Sequence, residues 1–102
     1  MTPPIDNLDY REGPQFTARV RHDPGIAERI HRFFNRFPNA GEVICGNLKM
    51  VEVEGYTVVV VRDVKRHKLG LLNVFQLPEE APQFEAYIEE VRRVYCSGGR
   101  HG

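Results

Sequence analysis

Hydrophobic residues fall along this chain in three patterns, and each predicts a different kind of element. The first is Tyr56-Thr57-Val58-Val59-Val60-Val61, a run almost without polar side chains. Consecutive valines lose χ1 freedom in a helix but pack well on a pleated surface, so the run predicts a strand. Successive strand residues point to opposite faces, so an unbroken apolar run predicts a central strand covered on both. Just upstream, Glu54-Gly55 suits a two-residue hairpin turn, with the glycine supplying a positive φ. That turn sets a register. Val53 faces Tyr56, Val51 faces Val58 and Lys49 faces Val60 on one side of the sheet; Glu52 faces Thr57, Met50 faces Val59 and Leu48 faces Val61 on the other. Polar Val64-Lys65-Arg66-His67-Lys68 then reads as a longer hairpin loop before a strand over Leu69–Leu77.

The second pattern is alternation. Phe16, Ala18 and Val20 interleave with Thr17, Arg19 and Arg21, which predicts a half-buried strand over residues 16–22. Glu42-Val43-Ile44-Cys45, interrupted by Gly46-Asn47, predicts a short edge strand or a bulge. The third pattern is helical. Ile26, Ile30, Phe33 and Phe37 share one face, widened by Phe34, with Asp23 as N-cap, Pro24 in the first turn and a stop before Pro38. Pro78-Glu79-Glu80-Ala81-Pro82 opens a second helix whose buried face is Phe84, Tyr87, Ile88, Val91 and Tyr95.

The order β-α-β-β-β-α predicts a two-layer α+β domain, an antiparallel sheet of four to five strands with two amphipathic helices. The domain spans 16–96, between an irregular N-terminal arm at 1–15 and a polar tail at 97–102. With both helices on one face, the other face of the valine strand stays short of cover; the alternative is that the two helices take opposite faces. Met50, Thr57, Val59 and Val61 are then the expected surface for a homo-oligomer or a protein partner.

Composition narrows the function classes. Fourteen basic residues balance fourteen acidic ones, so no overall field draws the chain to nucleic acid or an anionic membrane. No window approaches a membrane span, and Cys45 and Cys96, far apart and outside any C-x-x-C pattern, fit a reduced, cytoplasmic protein. No paired His or Cys spacing, nucleophile elbow or phosphate-cradling glycine loop occurs. No catalytic residue, cofactor or metal is therefore assigned. The least ordinary signal is basic: Arg62, Lys65, Arg66 and Lys68 in the loop, and Arg29, Arg32 and Arg36 along one helix flank. Convergence of these groups would give salt-dependent nucleic-acid binding.

The stretch Leu48–Val61, an apolar hairpin with Gly55-Tyr56 preceded by a helix, resembles the hairpin of RelE/ParE-type toxins, small basic proteins that cleave ribosome-bound mRNA or poison gyrase. The resemblance covers about a third of the chain. It departs at Thr57, where those toxins commonly carry an arginine, in having one helix rather than two before the hairpin, and in overall charge. No catalytic residue is carried over. The leading expectation is a non-enzymatic cytoplasmic association module; the alternative is a nucleic-acid-binding protein or toxin-like nuclease using the basic loop and helix residues.

Overall fold

The computed structural model describes residues 13–96. The arm expected over 1–15 therefore falls mostly outside the described residues, and the tail at 97–102 falls wholly outside them. The central strand and its partners form as the pattern requires. Strands β1 (Glu42–Cys45), β2 (Leu48–Val53), β3 (Tyr56–Asp63) and β4 (Lys68–Phe75) pair antiparallel in sequence order. The six expected β2–β3 pairs, from Val53 opposite Tyr56 to Leu48 opposite Val61, are all present.

The turn between these strands places Glu54 at φ 54° and Gly55 at φ 85°, the double positive φ of a type I′ hairpin turn. Gly55 adopts this geometry freely, whereas Glu54 is strained there. The Glu54 carboxylate is held from outside the turn, since Arg29 Nε donates to its Oε1 at 2.9 Å. β1 is an edge strand that also contains an irregularity between Val43 and Cys45, and β4 bulges opposite Val59 and Val60.

Two expectations are corrected here. Residues 16–22 form a helix: α1 runs Pro14–His22, so the observed order is α-α-β-β-β-β-α. Phe16 and Val20 satisfy a four-residue spacing as well as alternation, and Pro14 in the first turn favours the helix. Its start is secured by a residue 57 positions away. Buried Asn73 accepts the Phe16 N–H at 2.8 Å on Oδ1 and donates to Gln15 Oε1 at 2.8 Å through Nδ2. Asn73 thus serves as an N-terminal cap supplied by the sheet. Gly13 must approach closely for this: a Cβ there would lie 2.3 Å from Asn73 Nδ2.

The second correction concerns layers. The helices lie on both faces of the sheet, with α1 and α2 (Ile26–Arg36) on one side and α3 (Ala81–Val91) on the other. Phe16, Ile26, Ile30 and Phe34 pack with Val51, Val53, Val58, Val60, Leu71 and Val74. On the opposite face Ile88 and Val91 pack with Leu48, Val59, Val61, Leu72 and Phe75. Every valine from 58 to 61 is buried, each worth roughly 1.5–3 kcal/mol relative to exposure. A strand that is apolar on both faces gains from cover on both, and the chain divides its helices accordingly.

Local details shift too. Asp23 does not cap α2; it closes α1, and its carboxylate is taken by the Arg29 guanidinium. The buried stripe of α2 is Ile26, Ile30 and Phe34, while Phe33 is half-buried and Phe37 is 49% exposed. α3 continues into a π-helical turn, Arg92–Cys96, with Tyr87 and Tyr95 half-buried along its course.

Candidate functional site

Cys45 and Cys96 are bonded as a disulfide, which corrects the expectation of reduced, separate thiols. The bridge spans a sequence separation of 51 and fastens the end of the C-terminal helix to edge strand β1. Among the described residues α3 has no second helix beside it. Phe75 grips it from the sheet, with ring centroids 5.3 Å from Phe84 and 5.6 Å from Tyr87. Burial, the neighbouring Tyr95 and Glu90 raise the Tyr87 phenol above its ordinary range, and burial followed by Glu90 does the same for Tyr95. Both phenols therefore remain neutral across the physiological range.

α3 does not reach the far end of the sheet face it covers. Beyond Phe84 an open groove of about 470 Å³ is left, lined by Met50, Thr57, Leu77 and Phe84 with Glu42 and Glu52 among its polar residues. Alternation explains this. Glu52 and Thr57 face each other on the same side as Met50 and Val59, so the sheet turns less apolar where the helix ends. No hydrogen bond or ion pair engages the Glu42 or Glu52 carboxylate among the described residues. On the other flank of Phe84 lies a second depression of about 310 Å³, bordered by Glu85, Ile88, Glu89 and Arg92.

Of the four residues expected to form an association surface, Met50 and Thr57 line this groove. Val59 and Val61 are sealed beneath α3, so the bare valine face anticipated for a dimer does not exist. Leu77 and Phe84, which complete the groove, carry no distinguishing signal beyond hydrophobicity.

The basic residues are spread along α2 and the β3–β4 hairpin, and most are engaged by neighbours. Arg29 sits between Asp23 and Glu54, and these carboxylates, Asp23 foremost, raise its already high pKa further. Arg32 pairs with Glu28 at 2.9 Å, and Arg36 lies over the Phe37 ring at 5.6 Å. Arg62 is structural: it covers the Phe34 ring at 5.8 Å and reaches the carbonyls of Pro38 and Lys68. Arg66 pairs with Asp63, and Lys65 and Lys68 are exposed. Arg29 is tied to the turn before β3, whereas Lys65 to Lys68 follow that strand of eight residues, roughly 25 Å further at about 3.3 Å per residue. Arg19, now on a helix, stacks over Tyr56 at 5.0 Å.

Among the described residues no three His, Cys, Asp or Glu side chains gather in a way that would hold a metal ion, and no helix is long and apolar enough to cross a membrane. Comparison with family models, curated proteins and solved structures returns no match. Two helices do precede the hairpin, as in the RelE/ParE-type toxins, but Thr57 and the balanced charge still stand apart from that pattern.

Proposed function

We propose that this chain is a non-enzymatic association module whose groove beside Phe84 receives an extended protein segment. The observation that carries this reading is the groove itself: apolar Met50, Leu77 and Phe84 beside Thr57, with unpaired Glu42 and Glu52 among its lining residues. Such a surface suits a bulky apolar side chain flanked by lysine or arginine. The apolar contact supplies affinity, and the carboxylates supply orientation and association rate. The Cys45–Cys96 bridge suits an oxidising compartment better than the reducing cytoplasm first expected.

The test is a titration of the isotope-labelled protein with a capped arginine-phenylalanine-leucine-arginine tetrapeptide, followed by amide NMR shifts. Saturable shifts at Met50, Thr57, Leu77 and Phe84, lost in Thr57→Arg and not produced by a glutamate-flanked peptide, are expected. Unmoved groove resonances, with single-stranded RNA instead shifting Arg62 to Lys68, would replace this reading with the nucleic-acid one.

A further inference from the structure

The balanced overall charge conceals a strong asymmetry across the sheet. Segment 14–36, on one side, carries five arginines against Asp23 and Glu28; segment 78–96, on the other, carries five glutamates against Arg92 and Arg93. Each side also presents an aromatic ridge between two depressions. On the basic side Phe37 borders hollows of about 500 Å³ (with Phe33, Pro38 and Ala40) and about 340 Å³ (with Arg29, Arg32 and Val53). Phe37 is half-exposed, Phe33 packs against it at 5.2 Å, and Arg36 meets no carboxylate among the described residues. On the acidic side Phe84 stands between the groove of about 470 Å³ and the hollow of about 310 Å³.

We infer that the occupant of the groove is a second copy of this chain, docking head to tail through its Phe37 ridge. The inference rests on the association reading above and names its partner. Phe37 of one copy enters the groove of Met50, Thr57, Leu77 and Phe84, and Arg32 and Arg36 meet the glutamates around it. Copies without net charge do not repel one another, while their opposed faces attract. Because the two patches differ, the contact is heterologous, so every open assembly keeps one ridge and one groove unused at its ends until a ring closes or a filament grows. Arg32 is not locked away from this role, since its pair with Glu28 is solvent-exposed and such pairs hold only weakly against solvent and competing partners.

Sedimentation velocity on the whole chain tests the inference. The average mass should rise with concentration, and the apparent association constant should fall on the order of tenfold or more between about 0.05 M and about 0.5 M salt. Phe37→Glu and Thr57→Arg should each be monomeric alone and folded by circular dichroism. Mixed in equal amounts they should form a dimer and stop there, because the pair retains one intact groove and one intact ridge. Should Thr57→Arg not fold, Leu77→Lys on the groove rim serves in its place. A mixture that stays monomeric, or single variants that still dimerise, would overturn the inference. If wild type stays monomeric yet the tetrapeptide shifts the groove resonances, self-docking fails and the association reading stands. If neither occurs, both fail.

Discussion

The two sides of the sheet are closed by different means. On the α1–α2 side the core is sealed by packing and polar anchors: Phe16, Ile26, Ile30 and Phe34 are essentially inaccessible, Asn73 caps α1, and Arg29 ties α2 to the hairpin turn. On the α3 side only Ile88 and Val91 of the helix are buried, Phe84 and Tyr87 are half-covered, and a disulfide holds the far end to β1. The difference separates a load of stability from a place for function. A tightly packed side tolerates little change, whereas a side covered by one helix has the lower local stability and open apolar surface from which binding sites are drawn.

The contrast can be broken most severely at matching phenylalanines. Phe34→Ala should cost about 3–5 kcal/mol, the range for emptying a fully buried aromatic site, and half-buried Phe84→Ala clearly less, both from urea midpoints. Equal losses would mean that the two sides are sealed alike. Next comes the covalent clip. Replacing both Cys45 and Cys96 by serine should remove about 2–4 kcal/mol, consistent with a bridge that closes a long loop. Hydrogen exchange should then accelerate over Ala81–Cys96 while α2 stays protected; uniform acceleration would dissolve the distinction.

Asn73→Leu probes the polar anchor. It leaves the buried Phe16 N–H without its acceptor, at a cost of about 1–3 kcal/mol, with fraying at Pro14–His22 in exchange data. Smallest is a pH effect confined to the α2 side. The hydrogen bond from Arg29 holds Asp23 below its ordinary carboxyl value of 3.8. A depressed folded pKa contributes stability that is present above the unfolded value and lost as pH falls through the folded one. The urea midpoint should therefore drop in acid, below about pH 4, by slightly more in wild type than in Asp23→Asn. An identical acid slope in the two proteins would show that the Arg29 fork is not a stabilising contact.

What the chain declares by itself is its local order. The hairpin from Leu48 to Val61 was legible residue by residue, because Glu54-Gly55 and the period of two fix its pairs over a few residues. The buried positions Ile88 and Val91 are legible from helical spacing, and the α+β class from the mix of strand and helix patterns. Ambiguity began where one spacing serves two structures. Phe16 and Val20 fit a strand or a helix, and the arbiter, Asn73, is a polar residue in an apolar run whose purpose is invisible until β4 lies beside α1. In α2 the stripe through Phe33 and Phe37 competed with that through Phe34, and contact with the sheet chose Phe34, leaving Phe37 exposed.

Only tertiary structure could place the helices on opposite faces, bring Cys45 to Cys96 and leave the groove beside Phe84 open. Each depends on which distant surfaces meet. Periodicity records which side of an element is apolar, but it does not record what that side will touch or how far the cover extends.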